Sequence, residues 1–394
     1  LMKIDPPTDR LEIAGDISSQ AQARLDERFM AAAIRLARKH EGLTAENPSV
    51  AALIIRFENS IPIIVGQGVT EIGGRPHAEV IALGKAGHLA KGACAYVTLE
   101  PCSHFGKTPP CVNALISAGI TRVVVAANDP DTRVSGKGFE TLRSAGIDVV
   151  TGVLAKDAEY GLAGFLRRTT KKRPFITLKL AMSADGIMGA HSGEQVKITN
   201  NISNAQVHIL RAINDAILVG SGTIINDDPS LTCRLNGLTD RSPKRVILDR
   251  RLQISAKSHL IQTADKTSTI IATKSKNEVL QPLQNQGVSI LDLVNIREDQ
   301  QLYYMVGELA DRGISTLLVE GGAQIAKSFL DARLVDRLVI FQSNKNLVGI
   351  NDAVKAPISP QNIDDFVLKN QLTFGSDIMY EYEPQNRVKN RAKG

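Results

Sequence analysis

Four side chains in the amino-terminal part of the sequence have the types and spacing that metal chemistry needs: His77, Glu79, Cys102 and Cys111. One imidazole and two thiols suit zinc and leave a fourth position open for water. A zinc ion makes such a water acidic near neutral pH. Glu79 is the carboxylate placed to carry the released proton. Positions two apart on a helix point in different directions, so His77 and Glu79 are expected to reach the centre differently, one as ligand and one as proton carrier. Pro76 and the pair Pro109-Pro110 put His77 and Cys111 at expected helix starts. Free backbone N–H groups and the positive helix end favour a thiolate there. The same ligands also suit a zinc that only staples the fold.

Hydrophobic periodicity gives the elements that must position these groups. A helix is expected over 23–39, with Phe29, Ala33, Leu36 and Ala37 on its apolar face, followed by strands over 50–55 and 61–65. A helix over 77–86, a strand over 95–99, a helix over 108–118, a strand over 122–127, a helix over 137–145 and the Val149-Val150 pair complete the pattern. Strands alternating with helices imply a three-layer α/β domain ending near residue 165. A linker is expected over 167–174, where charges cluster and Pro174 discourages a continuous helix. Beyond it, strands are expected over 175–180, 216–219, 245–248, 269–272, 316–320 and 335–341, with helices over 204–213, 301–312 and 323–331. Two late apolar stretches close a second α/β domain with a mixed sheet.

A length of 394 residues accommodates two cores, and 43% hydrophobic with 22% charged residues is the composition of a globular protein rather than a disordered chain. The net charge of +6 favours anionic partners. Aromatics are only 4% and Trp is absent, which weighs against a single-strand nucleic-acid binder. The basic cluster Arg167, Arg168, Lys171, Lys172 and Arg173 reads as a solvated linker or helix end. No apolar run reaches the roughly 20 residues that cross a bilayer, and no secretion signal is evident. The expectation is a cytoplasmic protein with neither a membrane nor a nucleic-acid partner. Four cysteines, Cys94, Cys102, Cys111 and Cys233, do not make a disulfide scaffold.

The segments GRPHAEVIAL and LEPCSHFGKTPPC carry the His-x-Glu and Pro-Cys signature of zinc nucleobase deaminases. The eight residues between Cys102 and Cys111 separate the chain from deaminases that have two residues there. The segment PCSHFGKTPPC resembles the bifunctional deaminase and reductase family of riboflavin biosynthesis, and the resemblance spans about 25–385. It implies a cytidine-deaminase-like domain over 25–168. That domain would hydrolyse the C2 amino group of 2,5-diamino-6-(5-phosphoribosylamino)pyrimidin-4(3H)-one to give the uracil and ammonia. By the same resemblance Zn2+ is held by His77, Cys102 and Cys111, Glu79 is catalytic, and Asn47, His104 and Lys107 bind substrate. Asn47 suits the pyrimidine edge and Lys107 the phosphate. Ser49, Ala51 and Thr70 depart from the residues usual in the family.

The segments KLAMSADG, GSGTIINDDPSLTCR and LVEGG resemble the family's second domain, here 174–385, with a mixed sheet similar to dihydrofolate reductase. The implied reaction is NADPH-dependent reduction of 5-amino-6-(5-phosphoribosylamino)uracil to its ribitylamino form. The resemblance assigns Ala181, Lys197, Thr223, Asp227, Arg250 and the run Gly322, Ala323, Gln324, Ile325, Ala326, Lys327 and Ser328 to the cofactor. It assigns Lys179, Gln195, Arg211, Leu231, Arg234 and Glu320 to the substrate. Arg211 and Arg234 suit directed hydrogen bonds to a phosphate. Gln195, Lys197 and Arg250 stand where the family often has Ser, Trp and Ser, and Lys197 or Arg250 suits the extra phosphate of NADPH. Homo-oligomers are expected from the resemblance. A nucleic-acid deaminase and a non-enzymatic zinc protein are the competing readings.

Overall fold

The computed structural model describes residues 19–106, 108–131, 135–190, 196–347 and 352–385. They fall into two compact units. The first comprises described residues 19–40 and 47–162, and the second 41–46 and 163–385.

Runs of Ala, Val and Ile build a five-stranded sheet in the first unit from β1 (Ala51–Glu58), β2 (Ile61–Val69), β3 (Cys94–Leu99), β4 (Arg122–Ala127) and β5 (Asp148–Thr151), in the order β2-β1-β3-β4-β5. The two-residue turn Asn59-Ser60 joins β1 and β2 with φ of 50° and 64°, the left-handed pair that matches strand twist in a hairpin. The parallel pairs β3/β4 and β4/β5 need crossovers, supplied by α3 (Cys111–Ser117) and α4 (Lys137–Ser144). Helix α1 (Ser19–Ala37) covers one face: Phe29 packs on Tyr96 with ring centroids 5.4 Å apart, and the Tyr96 hydroxyl donates to Asp26 at 2.8 Å. Arg122 donates two bonds of 2.8 Å to the same carboxylate. Burial works to raise the Asp26 carboxyl, but these donors hold it below its usual value. Neighbouring residues on β1 and β2 face the other way, and α2 (Ala78–Ala86) lies there against Gly66 and Gly68. Helix, sheet and helix therefore form three layers, with α5 (Ala155–Gly161) completing the unit.

The second unit centres on a nine-stranded sheet in the order β11-β10-β9-β8-β12-β6-β13-β16-β15. Its strands are β6 (Phe175–Met182), β8 (Ala216–Gly220), β9 (Lys244–Leu248), β10 (Thr269–Thr273), β11 (Val288–Asp292), β12 (Thr316–Val319), β13 (Arg337–Gln342), β15 (Phe366–Phe374) and β16 (Asp377–Pro384). The run from β11 to β13 is parallel, whereas β13/β16 and β16/β15 are antiparallel. A small sheet pairs β7 (Ile187–Ala190) with β14 (Ala353–Lys355). Alternate residues feed two cores: Ala216 and Leu218 enter one, and Ile217 and Val219 the other. The helices are α6 (Ala163–Lys171), α7 (Asn201–Ala212), α8 (Ser221–Asp227), α9 (His259–Gln262), α10 (Asn277–Gln284), α11 (Gln301–Asp311) and α12 (Ala323–Asp331).

Several sequence expectations change here. Much of the expected linker is helix α6, which ends before Lys172 at φ 55°. The basic cluster lies at that helix end, as expected, with Lys171 and Lys172 exposed, but Arg167 and Arg173 are not merely solvated, because both pair with the buried Asp336. Helix α3 starts at Cys111 rather than 108, since Pro109 forces Thr108 towards extended backbone and Pro110 is itself extended at φ −60°, ψ 141°. On α1 the buried apolar face is Phe29, Met30, Ala33 and Ile34, while Leu36 and Ala37 are half-buried. Helices α8 and α10 and strands β7, β11 and β14 had no clear periodic signal. No helix among the described residues is long and apolar enough to cross a membrane.

Candidate metal centre and cleft

The metal centre depends on how closely α2 lies on β2. A Cβ added at Gly66 would come within 2.2 Å of the Ala82 carbonyl oxygen, and one at Gly68 within 2.2 Å of that of Ala78. Only glycine permits this approach. It fixes the start of α2, where His77 is the extended N-cap at φ −72°, ψ 159° and its ring makes no capping bond. Cys111 opens α3, and its N–H donates to Cys102 Sγ at 3.3 Å.

His77 Nδ1 lies 3.7 Å from Cys102 Sγ and 3.4 Å from Cys111 Sγ, and the three candidate ligand atoms all lie within 4.8 Å of one another. Tetrahedral zinc with ordinary Zn–S and Zn–N bonds requires nitrogen and sulfur about 3.6 Å apart. The residues therefore fit zinc, with Nδ1 as the metal-facing nitrogen. The Cys102 thiol is held down at about 4: hydrogen bonding from Cys111 outweighs burial, and His77 and the Cys111 N–H assist. In turn the Cys102 thiolate and burial push the Cys111 thiol up. A divalent cation reverses that second effect by deprotonating a coordinating thiol. The Cys102 hydrogen bond raises His77, against burial.

Glu79 is 4% exposed, in the first turn of α2, and the charges of His77 and Cys102 act on its carboxyl. Burial pushes its carboxyl above the usual range, as suits a group that must both accept and donate protons. Asn47 is half-buried before β1, and His104 is exposed on the inter-cysteine loop. Lys107 lies outside the described residues. The sequence reading missed Asp129, which follows β4, is 8% exposed and feels the charges of both His104 and Cys102. Burial raises its carboxyl while His104 opposes the rise. Its only sequence signal is its place just beyond the end of a buried parallel strand.

The three departures have backbone roles. Thr70 Oγ1 accepts the Val50 N–H at 3.0 Å, Ser49 Oγ donates to the Ala37 carbonyl at 2.6 Å, and the Ala51 N–H donates to Thr98 Oγ1 at 3.1 Å. Thr70 is 2% exposed, so its hydroxyl ties β1 to β2.

In the second unit a cleft of about 1920 Å³ opens beyond the carboxyl ends of β8, β9 and β10, the usual ligand position in parallel sheets. Lys197, Thr223, Asp227, Arg250, Gly322, Ala323, Gln324, Ile325, Ser328, Arg211, Leu231 and Arg234 line it. Helix α12 points its amino end into this cleft. The Ala326 N–H is already bonded to the Gly322 carbonyl at 3.0 Å, whereas those of Ala323, Gln324 and Ile325 precede that first helical bond. Ala326 is fully buried in the core, and Lys327 faces Asp331 at 2.8 Å, so neither side chain lines the cleft. Ala181 is half-buried against the core, and Gln195 lies outside the described residues.

Lys179, Arg211 and Glu320 come together as a cluster. Glu320 accepts from Lys179 Nζ at 3.3 Å and from Arg211 Nε and Nη2 at 2.8 and 3.0 Å. Burial works to raise the Glu320 carboxyl, but the two cations win and hold it at about 2. Arg211 Nη1 also donates to the Thr232 carbonyl at 3.2 Å. Arg211 is therefore partly committed within the protein, unlike the free phosphate-binding fork expected from sequence. Arg234 is exposed, and its N–H donates to His208 Nδ1 at 3.4 Å.

Residues 23–127 match the family model described as the cytidine and deoxycytidylate deaminase zinc-binding region, and residues 174–380 match the RibD C-terminal domain. The riboflavin biosynthesis protein RibD of Aquifex aeolicus is 43% identical over 82% of this chain and 87% of its own length. That of Escherichia coli is 37% identical over 82% and 88%. Among solved structures, Acinetobacter baumannii RibD has a TM-score of 0.82 at 33% identity, covering 92% of this chain and 99% of its own. A diaminohydroxyphosphoribosylaminopyrimidine deaminase/5-amino-6-(5-phosphoribosylamino)uracil reductase from Thermotoga maritima has a TM-score of 0.80 at 34% identity, covering 92% and 100%.

Proposed function

Since the chain belongs to the RibD family, we propose how its residues divide the two reactions of that family between the metal centre and the cleft. The enzyme deaminates a pyrimidine intermediate of riboflavin biosynthesis and then reduces the product with NADPH. In our reading the first unit hydrolyses the C2 amino group of 2,5-diamino-6-(5-phosphoribosylamino)pyrimidin-4(3H)-one. His77, Cys102 and Cys111 hold the zinc. When bound, zinc supplies the Lewis acidity that makes hydroxide available near neutral pH. Glu79 takes the proton from the attacking water, then delivers protons to the ring nitrogen and the departing ammonia. Asn47, His104, Lys107 and Asp129 bind the pyrimidine and its sugar phosphate. The carrying observation is that His77 Nδ1 lies from both sulfurs at the distances tetrahedral zinc needs, with the Glu79 carboxyl buried in the first turn of the same helix start.

In the cleft, the free N–H groups of Ala323, Gln324 and Ile325 receive a phosphate of NADPH, as helix starts favour anions. Gly322 and Ser328 flank that phosphate, while Thr223, Asp227, Lys197 and Arg250 contact the rest of the cofactor. Lys179, Arg211, Leu231, Arg234 and Glu320 form the substrate side. When bound there, NADPH would supply the hydride that, with a proton on the carbonyl oxygen, turns the open-chain ribosyl carbonyl held by these residues into the ribityl group. Kinship alone supports a cytoplasmic homo-oligomer.

A two-stage assay tests the division. Ammonia release from the diaminopyrimidine is measured with zinc bound, followed by NADPH oxidation on the supplied deaminated product. Glu79→Gln is expected to keep its zinc and its reductase rate while losing deamination by at least about 100-fold. Loss of both activities in a folded protein would contradict separate sites.

A further inference from the structure

In the deaminase reading the substrate carries a phosphate on its ribosyl group, and a guanidinium beside the zinc centre has the chemistry to bind it. Arg75 is two residues before the ligand His77, and its Nη1 donates to Thr108 Oγ1 at 2.7 Å. Thr108 belongs to the loop between the ligands Cys102 and Cys111, so the guanidinium spans from the α2 start to that loop. A Cβ on the neighbouring Gly106 would lie 3.6 Å from Arg75 Nη2, which leaves the loop backbone close along one edge of the guanidinium. Arg75 is half-buried, and among the described residues no carboxylate pairs with it.

This arrangement differs from that of two other arginines of the first unit, Arg122 and Arg56, which face carboxylates. Arg122 is neutralised by Asp26 and Asp148, and Arg56 by Glu58. Arg75 instead has one of its five donors fixed by a neutral hydroxyl, which sets the plane of the fork and leaves the charge uncompensated. A planar fork of this kind matches two oxygens of a phosphate.

Resting on the deaminase reading above, we propose that Arg75, oriented by Thr108, is a specificity-determining residue that binds the phosphate monoester of the deaminase substrate. The anion completes the guanidinium that Thr108 holds in place. Arg75 thereby selects the phosphorylated pyrimidine over its unphosphorylated riboside.

The test compares deamination kinetics of the zinc-loaded full chain on the phosphorylated substrate and on the corresponding riboside, with zinc content measured on each preparation. For Arg75→Ala the KM for the phosphorylated substrate is expected to rise about 10- to 100-fold, the size of one lost charge-assisted contact, with kcat changing far less. The preference for phosphate over riboside collapses by the same factor. Arg75→Lys retains the charge without the fork and recovers part of the preference, and Thr108→Val loses a smaller part of it. Inorganic phosphate inhibits the wild type and loses potency in Arg75→Ala. Equal losses on both substrates, or a fall in kcat alone, would mean that Arg75 only holds the loop and would overturn the proposal. If Arg75→Ala does not fold, unchanged preference and phosphate inhibition in Arg75→Lys and Thr108→Val together overturn it. A wild type that discriminates between the substrates only weakly also overturns it, with the deaminase reading intact. A zinc-loaded wild type that releases no ammonia from either substrate removes the deaminase reading itself and the proposal with it.

Discussion

Gly68→Ala tests whether the seat of α2 on β2 sets the metal geometry. The new methyl would lie 2.2 Å from the Ala78 carbonyl oxygen, 2.7 Å from the Ala82 nitrogen and 2.9 Å from the Ile81 Cβ. Two of these neighbours are backbone atoms, so no side-chain rotation relieves the clash. Ordinary contact begins near 3.4 Å, so sheet and helix must separate by roughly 1 Å. The strand resists, because Gly68 pairs with Ala52, which pairs in turn with Val97 inside the sheet. Helix α2 is therefore the part that moves, carrying His77 and Glu79, while Cys102 and Cys111 stay with other elements. Metal–ligand distances tolerate about 0.2 Å, and a misplacement of about 1 Å at a catalytic group costs about 100-fold in rate. Overpacking of this kind destabilises by about 1–3 kcal/mol. The purified variant is expected to carry less than one zinc per chain and to release ammonia about 100-fold more slowly. NADPH oxidation on supplied deaminated substrate is expected to stay within about twofold. Gly84→Ala is the control, since a Cβ there meets nothing within 4 Å on the same helix. Full zinc content with a near-normal rate in Gly68→Ala would refute the argument.

Two further outcomes concern the second unit. The Glu320 carboxyl, held at about 2, is lowered from 4.5, so its stabilising effect is complete above about pH 4.5 and is lost as pH falls towards 2. Glu320→Gln leaves Lys179 and Arg211 without their acid, so urea unfolding of this unit at pH 7 should show a loss of about 3–5 kcal/mol. The difference from wild type should shrink between pH 4.5 and 2, and a constant difference across that range would contradict the assignment. Arg250 is exposed and pairs with the exposed Glu298, so Arg250→Ala should leave stability within about 0.5 kcal/mol. It should raise the KM for NADPH about tenfold and that for NADH little. An unchanged NADPH-to-NADH preference would remove Arg250 from the phosphate contact.

The sequence determined whatever rests on residue type and local period. His77, Cys102 and Cys111 have the chemistry of zinc ligands, and the prolines before His77 and Cys111 mark where α2 and α3 begin. Continuous apolar runs such as residues 123–127 mark buried strands wherever the chain places them. Family motifs added the second reaction and most residues of the cleft. Short elements were less legible: α8 is built from Ser, Gly, Thr and Ile, which are weak helix formers, and its local bias gives no clear period.

Only the tertiary structure decided which groups meet. Lys179, Arg211 and Glu320 are 32 and 109 residues apart along the chain and join only because β6, β12 and α7 pack together. Folding therefore engages an arginine that sequence alone leaves free. Asp129 gains its place by ending a buried parallel strand, and Thr108 meets Arg75 across 33 residues. Gly68 has no chemistry of its own, yet the missing methyl lets α2 approach closely enough for the ligand nitrogen to come within 3.4 and 3.7 Å of the two sulfurs. Ligand identity is a property of side chains and can be read along the chain. Ligand geometry depends on packing between distant segments, and no local pattern encodes it.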